Sequence, residues 1–138
     1  KGRVDCYLSY QTRCHSIGVE YDPRIYETAA ENKKTAVSGG RTEFVLADAG
    51  EFPVPGAVNR AYFFNPFSVE LLQKVIRRIL DSWYEVPREI RLFFYYPSDE
   101  YLAYLMTVDE LVFADEIDCR ELFDGNDARE RIVEFVLE

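Results

Sequence analysis

Asn65, Pro66 and Phe67 end the apolar run Ala61-Tyr62-Phe63-Phe64 in an amide, a proline and an aromatic ring. A run without polar alternation predicts a strand covered on both faces, and Val69, Leu72, Val75, Ile76 and Ile79 then recur at helical spacing. Asn65 thus falls at the carboxyl end of a strand, before a helix. Open α/β sheets bind ligands there, because the loops form a crevice and the next helix presents its N-terminus to it. The same residues would also serve a chain that merely turns at this point. Two carboxylates fall at comparable places. Glu20 closes the run Ser16 to Val19 and Asp48 closes the run Thr42 to Ala47, so two successive β-α units each leave an acid at a strand end. Other chemistries have less to build on. Cys6, Cys14 and Cys119 are odd in number and form no C-x-x-C pair, so neither a disulfide framework nor a metal site is indicated. His15, the only histidine, directly precedes an apolar strand and reads as a satisfied structural residue rather than as part of a nucleophilic centre.

The elements that must position these groups follow from periodicity and punctuation. Val4, Tyr7, Leu8 and Gln11 share a helical face, which predicts a helix over residues 3 to 12 entered through Gly2, although Val4, Cys6 and Leu8 would also suit a strand. After the strand 16–20, Asp22-Pro23 supplies an N-cap and a first-turn proline for a helix running to about Ala36. Gly39-Gly40 ends that segment, and the strand 42–47 follows. The loop 51–58 leads to the strand before Asn65 and its long helix. Residues 89–96 form another apolar strand, stopped by Pro97. Ser98 then caps a helix with Asp99 and Glu100 in its first turn and a stripe of Tyr101, Leu102, Leu105 and Met106. Residues 110–118 and 130–138 alternate polar with apolar, with no helix between them, which predicts an antiparallel pair. The architecture expected is a mostly parallel α/β sheet finished by a β-hairpin, in a single domain spanning 1–138.

Composition narrows the class. Hydrophobic residues make up 48% of the 138, enough for a real core. No apolar run reaches the roughly 20 residues of a membrane span, and no signal segment opens the chain, so the reading is a cytoplasmic protein without a membrane partner. A net charge of -9 argues against broad attraction to a phosphate backbone. Lys74, Arg77, Arg78, Arg88 and Arg91 cluster in sequence, but such a run is more often a solvated helix face.

Taken together, the pattern resembles the class I, Rossmann-like, S-adenosylmethionine-dependent methyltransferases, whose sheet ends in such a hairpin. Lys1-Gly2-Arg3 resembles the last glycine of that family's G-x-G-x-G loop with its neighbours. The first strand and the first two glycines have no counterpart, so the expected sheet lacks its N-terminal strand. The resemblance implies S-adenosylmethionine as cofactor, with Gly2 at the cofactor loop. Glu20 would accept hydrogen bonds from the ribose hydroxyls, Tyr21 would flank the adenine, Asp48 would accept from the adenine amine, and Ala49 would leave room for the ring. Asn65-Pro66-Phe67 resembles the Asn/Asp-Pro-Pro-Tyr/Phe motif of methyltransferases that act on amino groups, without its second proline. By that likeness the amide and a backbone carbonyl accept hydrogen bonds from the target nitrogen, and the ring packs on the plane of the acceptor. The Lys-Gly-Arg start, Glu20-Tyr21-Asp22 and Tyr62 to Ser68 are together similar to small bacterial proteins labelled as methyltransferases without a substrate. The acceptor is thus left as a small-molecule amine, a base or a protein side chain.

Two other classes stand beside this one. A nicotinamide dehydrogenase shares the glycine loop and the acid after the second strand, though the terminal hairpin and Asn65-Pro66-Phe67 speak against it. A non-catalytic interaction module is the other. Without a first strand, the strands ending at Glu20 and Phe64 lack a central neighbour, which predicts an interrupted or rearranged sheet and possible self-association through unpaired edges.

Overall fold

In the computed structural model the described residues are 1–64, 67–123 and 125–138. They fall into two compact units, Lys1–Phe52 and Pro53–Glu138. The first contains α1 (Arg3–Thr12), β1 (Ser16–Glu20), α2 (Pro23–Thr35) and β2 (Thr42–Leu46), with a short 3-10 turn at Gly39–Arg41. β1 and β2 pair in parallel, from Ser16 opposite Thr42 to Glu20 opposite Leu46. Asp22 caps α2, its Oδ1 accepting from the Arg24 amide at 2.9 Å, and Pro23 supplies a preset φ at the first position. The turn before β2 requires glycine, because a Cβ on Gly39 would stand 2.2 Å from the Lys33 carbonyl oxygen. Polar bonds tie this turn to α1. Ser38 Oγ donates to the Cys6 carbonyl at 2.6 Å and Arg41 Nη2 to the Ser9 carbonyl at 2.8 Å.

The second unit contains β3 (Arg60–Phe64), α3 (Val69–Glu85), β4 (Ile90–Tyr95), α4 (Asp99–Leu105), β5 (Val112–Asp118) and β6 (Arg131–Leu137). Its sheet has the order β3-β4-β6-β5, with β3 and β4 parallel and the other pairs antiparallel. The expected terminal hairpin is therefore present, and it joins the sheet through β6. Leu72 and Ile76 of α3 are buried, as are Leu92 and Phe94 of β4, Leu105 of α4 and Phe135 of β6. Each such side chain contributes about 1.5–3 kcal/mol by leaving water. Phe63 stacks on Phe94 at 4.7 Å, and Phe94 meets Tyr101 and Phe135 edge-on.

Three expectations need correction, each for a physical reason. β3 is covered on one face only: Phe63 is buried, whereas Tyr62 and Phe64 are 42% and 58% exposed. β4 likewise alternates, with Ile90, Leu92 and Phe94 buried between half-buried Arg91, Phe93 and Tyr95. Aromatic residues on the open face hid the alternation that polar residues would have shown. The basic run divides: Lys74 and Arg77 are exposed on α3, as a solvated helix face would have them, whereas Arg88 and Arg91 are not. Arg88 donates to the carbonyls of Val58, Val86, Ser82 and Pro55, and Arg91 pairs with Glu134 and Glu89, so both act inside the fold. His15 is exposed, and the polar contact where β1 begins is made by Ser9 and Ser16, whose hydroxyls lie 2.8 Å apart.

The expected interruption is present as well. Among the described residues β1 pairs with β2 alone and β3 with β4 alone, in separate two- and four-stranded sheets.

Candidate functional site

Gly2, Glu20, Tyr21, Asp48 and Ala49 all belong to the first unit. Gly2 caps α1 in the left-handed region at φ 78°, and a Cβ there would stand 2.3 Å from the Phe44 ring, so position and packing both demand glycine. Glu20 and Asp48 lie at corresponding ends of neighbouring parallel strands, joined by the Ala47 amide donating to the Glu20 carbonyl at 3.0 Å. Each carboxylate is held by one backbone amide. Glu20 Oε1 accepts from Asp22 at 3.1 Å, and Asp48 Oδ1 accepts from Gly50 at 2.9 Å. Among the described residues the second oxygen of each takes no hydrogen bond, leaving two anchored acids with acceptor capacity in hand. Tyr21 is 76% exposed beside Glu20, and Ala49 is half-buried in the turn that Asp48 closes. Asp5 on α1 is a further acid in this unit, its carboxyl pushed up by burial.

Phe67 belongs to the second unit, while Asn65 and Pro66 lie outside the described residues. Phe67 is gripped at its backbone by Tyr101 of α4. The Tyr101 hydroxyl accepts from the Phe67 amide at 3.0 Å and donates to the Phe67 carbonyl. Burial pushes the Tyr101 hydroxyl up, which keeps it protonated and able to donate. The Phe67 ring meets Phe63 edge-on at 6.2 Å, and Ser68 caps α3 by accepting from the Leu71 amide at 3.3 Å. Phe67 and Ser68 are thus each held by side chains or backbone of the same unit.

A second group at the carboxyl end of β4 was not singled out in the sequence. Tyr95 Oη donates to Glu130 Oε2 at 2.6 Å, and that bond raises the Tyr95 hydroxyl to about 12. Tyr96 has φ 54°, a left-handed conformation uncommon for an aromatic residue, with its hydroxyl on Asp127 and the Arg129 guanidinium 4.4 Å above its ring. The Tyr96 bond holds the Asp127 carboxyl below the usual carboxylate range. Tyr95 also meets the Phe64 ring at 5.2 Å. These tyrosines read as core in an apolar run, and their acidic partners lie more than thirty positions away, which no local pattern reports.

At the level of sequence, no protein-family model and no curated protein matches the chain. Solved structures do match. A protein of the NADB-Rossmann superfamily from Streptococcus agalactiae aligns over 99% of this chain and 57% of its own, with TM-score 0.67 at 14% identity. An rRNA methylase from Streptococcus thermophilus aligns over 99% and 80%, with TM-score 0.67 at 12% identity. The N-methyltransferase NodS from Bradyrhizobium japonicum, in complex with S-adenosylhomocysteine, aligns over 88% and 64%, with TM-score 0.59 at 11% identity. The chain therefore spans little more than half of the first protein and most of the second. Its fold is α/β and Rossmann-like. The rRNA methylase and the N-methyltransferase NodS share that fold with this chain.

Proposed function

We propose that this chain forms the cofactor-binding and acceptor-binding core of an S-adenosylmethionine-dependent methyltransferase that acts on an amino nitrogen, in the cytoplasm. The observation that carries this reading is the pair Glu20 and Asp48, two acids on the ends of adjacent parallel strands in a methyltransferase fold, each with one oxygen open. That pair of acceptors suits a nucleoside. Glu20 would take the two ribose hydroxyls, Asp48 the adenine amine, Tyr21 a face of the ring, and Gly2 and Ala49 the close approaches. When bound, the cofactor supplies an electrophilic methyl on a sulfonium, which leaves as a neutral thioether.

The residues of this chain then have positioning work to do. Asn65 would accept a hydrogen bond from the acceptor amine and aim its lone pair, and Phe67 would hold the acceptor's plane, while Tyr101 fixes the backbone that carries Phe67. In-line displacement depends on such alignment, and no covalent nucleophile is required.

The test is calorimetric titration of S-adenosylmethionine, S-adenosylhomocysteine and NAD into the protein. Micromolar binding of the first two is expected, weakened by Glu20→Ala by about tenfold or more, as for loss of a charge-assisted bond. Binding of NAD alone would make the dehydrogenase reading the better one. Binding of none would move the protein to the interaction modules.

A further inference from the structure

Between α3 and α4 lies a groove that uses none of the residues given to the cofactor or the acceptor. Gln73, Arg77, Leu80 and Tyr84 recur at helical spacing, so they form one stripe along α3. The first three of them, with Tyr104 of α4, line a cavity of about 240 Å³. Leu80 is buried and supplies its apolar floor, Tyr104 is half-buried, and Gln73 and Arg77 are exposed at the rim. Three of these four side chains can donate hydrogen bonds. Among the described residues none of the three takes part in one, and Arg77 forms no ion pair, although its neighbour Arg78 pairs with Asp81 at 3.6 Å. Glu110, whose charge reaches Tyr84 and Tyr104 as that of Arg77 does, accepts from the Tyr84 hydroxyl at 3.0 Å instead of meeting Arg77. Burial pushes the Tyr104 hydroxyl up, with the Arg77 charge opposing, so it stays protonated and able to donate.

We propose that this groove binds a small-molecule monocarboxylate with a compact apolar body. The Arg77 guanidinium offers two parallel N–H bonds that match the two oxygens of a carboxylate, Tyr104 and Gln73 can each donate one more, and the apolar body rests on Leu80. A phosphate dianion fits less well. Among the lining residues Arg77 alone is cationic, and the Glu110 charge lies near enough to act on the same tyrosines. Size is limited too, since the cavity falls below the roughly 300–1,000 Å³ of pockets that enclose drug-sized ligands. The methyltransferase reading is not needed for this site, because Glu20, Asp48, Asn65 and Phe67 have no part in it.

The test uses benzoate and benzamide, a matched pair that differs in the charge of one planar group. Each is titrated into isotope-labelled protein and followed by nuclear magnetic resonance on the amides of α3 and α4 and on the Arg77 Nε–H signal. Benzoate should bind about tenfold more tightly than benzamide, a preference the size of one charge-assisted bond, with shifts centred on Gln73, Arg77 and Tyr104. Arg77→Gln should remove that preference, and Arg77→Lys should lose most of it, because an ammonium cannot make two parallel bonds. Tyr104→Phe should weaken benzoate about threefold. Lys74→Gln removes an equal charge exposed on the same helix and should leave both affinities unchanged. A loss as large as that of Arg77→Gln would mean general attraction to the helix and would overturn the site. Equal binding of the pair, or shifts centred elsewhere, would overturn it as well. Two further probes decide the ligand class. Phenyl phosphate and acetyl-trialanine with a free C-terminus should each bind more weakly than benzoate; tighter binding of the first would make the ligand a phosphate, tighter binding of the second the chain end of a partner, and either would overturn the assignment to a small monocarboxylate.

Discussion

Tyr101 shows how a side chain can act on a candidate site without touching a ligand. Its hydroxyl satisfies both the amide and the carbonyl of Phe67, groups that begin the turn into α3 and have no helical partner of their own. Tyr101→Phe keeps the ring in its buried place against Phe94 and removes only those two bonds. A loss of about 1–2 kcal/mol is expected, one net hydrogen bond or slightly more, measured by urea unfolding. If Phe67 orients an acceptor, turnover should fall further than stability alone explains, so methylation is to be assayed well below the melting temperature. Tyr95 offers a second test at this scale. Its hydroxyl is raised to about 12 by the bond to Glu130, so the contribution of that bond is complete below the ordinary tyrosine value of roughly 10 and is lost as pH climbs through the raised value. The absorbance titration of wild type minus Tyr95→Phe should therefore show one tyrosine ionising near 12. In Glu130→Gln that step should move down toward 10, and a step already at 10 in wild type would mean the bond is absent in solution.

Elements were legible where side chains punctuate the chain. Asp22-Pro23, Gly39-Gly40 and Ser98 with Asp99 and Glu100 mark helix ends by local hydrogen bonding and dihedral preference, and α2, β2 and α4 begin where these residues place them. The strand ends at Glu20 and before Asp48 were readable for the same reason. Which faces of β3 and β4 are covered was not, because Tyr62, Phe64, Phe93 and Tyr95 are apolar whether or not a layer packs on them. The role of Arg88 was equally hidden, since its carbonyl partners run from Pro55 to Val86 and leave no trace in side-chain pattern. At Gly39 sequence and structure agree on a sharp prediction. Gly39→Ala would put a Cβ against the Lys33 carbonyl, and backbone on both sides cannot yield cheaply. The cost should exceed the roughly 1 kcal/mol that alanine gains over glycine elsewhere and come to about 2–3 kcal/mol net destabilisation, read as a lowered melting temperature. Gly40→Ala, with open space around it, is the matched control and should be near neutral.

At the scale of the whole molecule the unpaired strand edges are the dominant physical fact. Among the described residues β1, β2, β3 and β5 each have a single strand neighbour, so each presents a row of amide and carbonyl groups along one side. β3 adds the exposed Tyr62 and Phe64, and natural edge strands are usually blunted by lysine, proline or a bulge rather than by aromatic rings. Residues 1–138 should therefore self-associate through these edges as concentration rises. The net charge of -9 opposes this at long range, so association should strengthen between low and moderate salt, as a Debye length of about 10 Å at 0.1 M screens the repulsion. Sedimentation velocity over a concentration series at two salt levels reads both effects. Tyr62→Lys places a charge on the open face of the edge strand, where Tyr62 is only partly buried, and should restore the monomer with little change in melting temperature. A chain that stays monomeric at high concentration in moderate salt would show that these edges are already satisfied in solution. If Tyr62→Lys associates as strongly as wild type, β3 is not the surface used, and the same substitution logic moves to the edges of β1, β2 and β5.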